Sequence, residues 1–243
     1  MTKKDKTGQD SEDAALMELL RAIVAQDATR AARLLATSQN LARHALGIGA
    51  SRKGPTGYFF QEIMHYVYAG DTALHVAAAA YQLEIARELI AAGAQPGARN
   101  RRGAEPLHYA ADGIPGAPTW NSEAQAAIVE YLIEAGANPN SIDKSGVTPL
   151  HRAVRTRCAA AVRALLANGA DPRRKNKSGS MPLHLAAQNT GRGGTGSSPS
   201  QEQQKLIIRL LLQHGARPQD KDARGKTVLQ SASSGWIRDL LQT

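Results

Sequence analysis

The chain has 243 residues, 42% of them apolar and only ten aromatic, so it can bury a sizeable core of Ala, Leu, Ile and Val, a composition that suits closely packed helices. Thirty Lys and Arg against 21 Asp and Glu give a net charge of +9, which attracts acidic partners at long range. A single cysteine, Cys158, excludes an internal disulfide and a cluster of thiolate metal ligands, and no stretch approaches the roughly 18 to 20 apolar residues of a membrane span.

In chain order, the polar start "MTKKDKTGQDSED" has no apolar run behind its lysines until residue 14. It reads as a disordered tail over 1–11, not as a signal peptide, and a reducing, cytoplasmic setting is the expectation. From residue 12, "EDAALMELLRAIVAQDATRAARLL" predicts two short helices broken at Asp27, part of an N-terminal capping unit over 12–69. The segment 58–68, "YFFQEIMHYVY", then holds five of the ten aromatic residues. Phe60, Ile63, Met64 and Val67 fall at i, i+3, i+4 and i+7, which predicts a short helix over 57–66 with the phenylalanines in the core. Tyr66 and Tyr68 are left for contact with a partner, as aromatics with a polar handle are common interface anchors.

The rest of the chain repeats itself. "GDTALHVAA" at 70, "GAEPLHYAA" at 103, "GVTPLHRAV" at 146 and "GSMPLHLAA" at 179 align, followed by a decayed "GKTVLQSAS" at 225. The starts are 33, 43, 33 and 46 residues apart, so two units are bare and two carry insertions. A second phrase follows each copy: "ELIAAGAQP", "YLIEAGANP", "ALLANGADP" and "LLLQHGARP". These phrases resemble the ankyrin repeat, whose unit is a turn, a first helix opened by "TPLHxAA" and a second helix ending in "GADxN". The resemblance covers residues 12–243 and implies an all-α solenoid of stacked helix pairs with projecting β-turn fingers. Its units are 70–102, 103–145, 146–178 and 179–224, with a C-terminal cap at 225–243 in which Trp236 covers the last core face. Physically, the Pro of "EPLH", "TPLH" and "MPLH" suits a first helical turn, where a missing N–H is harmless. No single unit buries its apolar face, so the stack shares one core.

No chemistry of catalysis emerges. His75, His108, His151 and His184 recur once per unit, and the resemblance implies that each imidazole ties neighbouring turns together through backbone, not through a metal. "GRGGTG" at 191–196 matches a dinucleotide fingerprint, but it follows a repeat helix instead of a strand. "GASRKGPT" at 49–56 has Pro55 where a phosphate loop needs lysine. Cys158 reads as a small packing residue. No catalytic, cofactor-binding or metal-ligating residue is assigned, and the chain reads as a non-enzyme.

The charge is concentrated. Four eight-residue windows beginning at 97, 140, 173 and 219, which the resemblance places at the finger tips, hold eleven basic and three acidic residues. They carry +8 of the net +9, and an even mixture of signs is what solubility alone favours. The expected partner site comprises Tyr66 and Tyr68, then Arg99, Arg101, Arg102, Lys144, Lys175, Lys177, Lys221 and Arg224 on successive fingers. Tyr109, Arg152 and Arg155 join it from the first helices. The insertions 112–125, which holds Trp120, and 188–204 enlarge the surface; Trp120 either packs locally or binds. The reading is a monomeric module that binds an acidic protein partner. Binding of nucleic acid or another polyanion is the main alternative, and inhibition or regulation of an enzyme is another.

Overall fold

Prolines fix where the inner helices begin. In the computed structural model, which describes residues 3–51, 54, 56–117, 120–188, 198–232 and 234–242, Pro106, Pro149 and Pro182 open helices α5 (Pro106–Ala110), α7 (Pro149–Arg155) and α9 (Pro182–Ala186). Each occupies the first turn, where no N–H is needed. The equivalent helix α3 (Ala73–Ala79) starts with Ala73 behind Thr72. Each inner helix is followed by a longer outer one: α4 (Leu83–Ala91), α6 (Ser122–Glu134), α8 (Ala159–Ala167) and α10 (Ser198–Gln213). Two shorter helices, α11 (Val228–Ser231) and α12 (Gly235–Gln242), close the C-terminal end, with Trp236 partly buried against the core.

Small side chains let the layers approach. Ala77, Ala78, Ala110, Ala111, Ala153, Ala186 and Ala187 are buried along the inner helices, with Leu74, Leu107, Leu150 and Leu183 between them. The result is one continuous apolar core from Leu16 to Leu241.

At the N-terminus, α1 (Lys3–Val24) and α2 (Ala28–Thr37) form the first pair. Asp27 divides them as expected, and its carboxylate accepts the Arg30 N–H as the N-cap of α2. The stretch expected to be a disordered tail over 1–11 is instead helical from Lys3 onward. The segment expected as a helix over 57–66 is also different. A single 3-10 turn at Thr56–Tyr58 leads into an antiparallel hairpin of β1 (Phe59–Phe60) and β2 (His65–Tyr66), with Phe59 opposite Tyr66 and Phe60 opposite His65. Met64, with φ of 49°, turns the chain between the strands. Phe60 and Val67 are nevertheless core residues, while Met64 is exposed.

The fingers are held by their own backbone. In each, one Asx side chain accepts two N–H groups: Asn100 from Arg102 and Ala104, Asp143 from Ser145 and Val147, Asn176 from Ser178 and Ser180, Asp222 from Arg224 and Lys226. The fingers of Asn100, Asp143 and Asn176 also bond to the turn before them. Arg101 N–H donates to Ala69 C=O at 2.8 Å, Lys144 to Arg102 at 2.9 Å and Lys177 to Ser145 at 3.0 Å. Gly70 illustrates the close fit: its φ is +87°, and a Cβ there would lie 2.7 Å from the Asn100 Cα.

Candidate functional site

The repeated histidines are structural links. Each Nδ1 accepts the N–H of its own helix cap, so the Nε2 proton points to the next unit. His75 reaches Ala104 C=O at 3.2 Å, His108 reaches Val147 at 3.0 Å, His151 reaches Ser180 at 3.1 Å and His184 reaches Lys226 at 3.4 Å. Burial disfavours the charged imidazolium and lowers the pKa of His75 and His151; the same cause takes His108 down to about 3. Among the described residues no group of three or more His, Cys, Asp or Glu side chains could hold a metal. Cys158 is buried and burial pushes its thiol up to about 11, which keeps it protonated at neutral pH.

Two surfaces remain. The first is the row of fingers. Arg99, Arg101, Arg102, Lys144, Lys175, Lys177, Lys221 and Arg224 are all exposed there. The three arginines are braced: Arg99 donates to Gly103 and Ile142 carbonyls, Arg101 to Ala50, and Arg102 to the Tyr68 hydroxyl at 2.9 Å. Tyr68 is therefore half-buried, with the Arg101 and Arg102 guanidinium groups 5.4 and 4.9 Å from its ring centre. Arg173 bridges two fingers through a bidentate pair with Asp220 at 2.8 and 2.9 Å.

The second surface is a concave groove of about 990 Å³ on the inner side of the first three repeats. Its floor is made by α5 and α7. One wall is the β1–β2 hairpin and the other is the insertion that begins at Asp112. The hairpin is docked by His65, whose ring stacks on Tyr109 with centres 4.4 Å apart; burial lowers the His65 pKa. The insertion is fixed by the Tyr81 hydroxyl, which donates to Asp112 C=O at 2.7 Å. Trp120 donates its indole N–H to Gln125 at 3.0 Å, and Gln125 in turn donates to the Ala110 and Asp112 carbonyls.

Of the expected partner residues, the groove gathers Tyr66, Tyr68, Arg102, Tyr109, Arg152 and Arg155. Tyr109 and Arg152 are not the surface residues that the sequence suggested. Tyr109 is 2% exposed because its hydroxyl is used internally, donating to Asp71. Arg152 is 8% exposed and pairs with Asp143 at 3.5 Å. Both form floor. His65, Met64 and Tyr81 were missed, although the scarcity of aromatics elsewhere was a usable signal. Of the insertion at 188–204, residues 189–197 lie outside the described residues, and 198–204 belong to α10.

Comparison with protein families agrees with this architecture. The description "Ankyrin repeat" matches residues 69–101 and 102–144, and "Ankyrin repeats (many copies)" matches residues 132–186. No curated protein matches the chain. Among the described residues no helix is long and apolar enough to cross a membrane. Ankyrin domains are in general protein–protein interaction modules and typically non-catalytic. Repeated motifs, histidine links, stacked fingers and family match converge: residues 69–186 of the chain are ankyrin repeats.

Proposed function

We propose that this protein is a non-catalytic, monomeric binding module that captures an acidic surface of a protein partner through the cations of its fingers. The observation that carries this reading is the pairing of exposure with rigidity. Lys144, Lys175, Lys177, Lys221 and Arg224 are exposed, and none is in an ion pair among the described residues. The fingers of Lys144, Lys175 and Lys177 are bonded in series through backbone, and that of Lys221 and Arg224 is tied to its neighbour by the Arg173–Asp220 pair. A pre-ordered row of one charge sign meets an acidic surface with little ordering cost, and it steers the approach of that surface.

The test uses a partner recovered with the wild-type chain and then titrated in purified form. Replacing Lys144, Lys175, Lys177 and Lys221 by Glu should leave the melting temperature unchanged and weaken binding by about tenfold or more at low salt, mainly through slower association. Unchanged affinity would reject the basic-finger reading. Tighter binding to a DNA duplex than to the recovered protein, with a steep salt dependence, would instead favour a polyanion ligand.

A further inference from the structure

The ten aromatic side chains are unevenly spent. Five of them, Tyr66, Tyr68, Tyr81, Tyr109 and Trp120, line the one groove of about 990 Å³. The walls of that groove are additions to the repeat unit: the hairpin precedes the first complete copy, and the insertion lengthens the second copy from 33 to 43 residues. Both walls are tied down by His65 on Tyr109, by Tyr81 on Asp112 and by Trp120 on Gln125. The cavity is thus formed before anything enters it, which lowers the cost of binding, and its volume is that of a ligand site.

Which ligand fits follows from what the aromatics already touch. A nucleobase needs an open ring face to stack on. The Tyr109 ring is covered by His65, and the Tyr68 ring carries two guanidinium groups. What remains open on the hairpin wall is an apolar edge: Met64 is 42% exposed and Tyr66 39%, facing the insertion that holds Trp120. Such an edge suits a bulky aliphatic or aromatic side chain, not a flat base. The exposed cations Arg102 and Arg155 border the same groove. Carboxylates are present too, Glu62 on the hairpin and Asp112 at the insertion, so the lining is not a simple anion sink. It asks for one acidic group placed near the arginines, and the chain's net charge of +9 favours acidic segments generally.

We propose that the groove binds an extended peptide segment of a partner protein, seating a bulky apolar side chain between hairpin and insertion and a neighbouring carboxylate on Arg102 or Arg155. This rests on the protein-binding reading above but centres on the groove, which shares Arg102 with the row of fingers and none of its lysines.

The experiment selects from a random octapeptide display library on the full chain. Enriched peptides are then titrated against wild type, Met64→Lys, Arg155→Glu and the double variant Lys175→Glu/Lys177→Glu, each first checked for an unchanged melt. A 12-nucleotide oligo-dT is titrated in parallel. The expected result is a consensus combining an acidic with a large apolar residue. Binding should fall about tenfold or more in both groove variants, as at an interface hot spot, and persist in the finger variant. Three results would overturn the inference. One is no enrichment over empty support. A second is peptide binding lost in the finger variant but kept in both groove variants, which would leave the basic-finger reading standing alone. The third is oligo-dT binding tighter than that of any peptide and abolished by Met64→Lys.

Discussion

The Tyr109 hydroxyl donates a 2.7 Å hydrogen bond to the carboxylate of Asp71, a residue with no exposed surface. Asp71 also accepts from the Asn100 amide at 2.8 Å and from the Tyr68 N–H at 2.6 Å. A buried carboxylate is costly unless its oxygens are hydrogen-bonded, so these donors hold the turn at Tyr68–Asp71, the finger of Asn100 and α5 together. Tyr109→Phe should therefore lower stability by about 1.5–3 kcal/mol, the range for hydrogen bonds to charged groups. Urea denaturation reads the loss directly. An unchanged midpoint would mean that the bond contributes nothing net.

Acid should weaken the stack before its carboxylates titrate. His65, His75, His108 and His151 have pKa values below 6.5 in the folded chain because burial disfavours their charged form. The unfolded chain takes up these protons first. Stability is thus fully present above pH 6.5 and is lost as pH falls below it, for His108 down to about 3. A single such site contributes at most about 1.4 kcal/mol per pH unit inside its window. Denaturation midpoints at pH 7.5, 6.5 and 5.5 should fall in that order. A flat response would remove the histidines from the account.

The hairpin separates core from surface within seven residues. Phe60→Ala should cost about 3–5 kcal/mol, as large-to-small changes at buried aromatics do. Tyr66→Ala, at a site 39% exposed, should cost about 1 kcal/mol or less, chiefly its ring contact with Phe59 at 4.7 Å. Thermal melts of the two variants decide it, and equal losses would make Tyr66 part of the core.

This same segment shows where the sequence misleads. Phe60 and Val67 are both buried, and Ile63 is partly so, so the spacing that suggested a helix identified most of the inward residues. It could not distinguish one helical stripe from two short strands joined by a turn, because both bring positions 60 and 67 to one side. The polar stretch before residue 12 misled differently. It lacks apolar residues after Met1, yet α1 runs on into it from a buried second half with Leu16, Leu19, Leu20 and Ile23. The repeats themselves were legible because each unit carries its own histidine and glycines at fixed spacing, and three of the four a helix-opening proline. The groove was not. Its floor, hairpin and insertion come from separate stretches of chain between Val24 and Thr156, and only the stacking of units brings them to one place.

Gly70 tests the fit between fingers. Its backbone is left-handed, and a Cβ there would press on the Asn100 backbone. Gly70→Ala should destabilise by about 1–3 kcal/mol, with the loss read from the denaturant midpoint. A neutral result would show that the fingers can slide apart without penalty.

The anchoring of the insertion has a consequence for how such a protein can change. The loop is fastened close to both of its ends, by Tyr81 on Asp112 and by Gln125 on Ala110 and Asp112. The stretch between Gly113 and Trp120 can vary in length and composition while the helices beneath keep their spacing. Descendants of this chain can thus acquire new partners by redrafting a loop, with the scaffold shielded from the experiment.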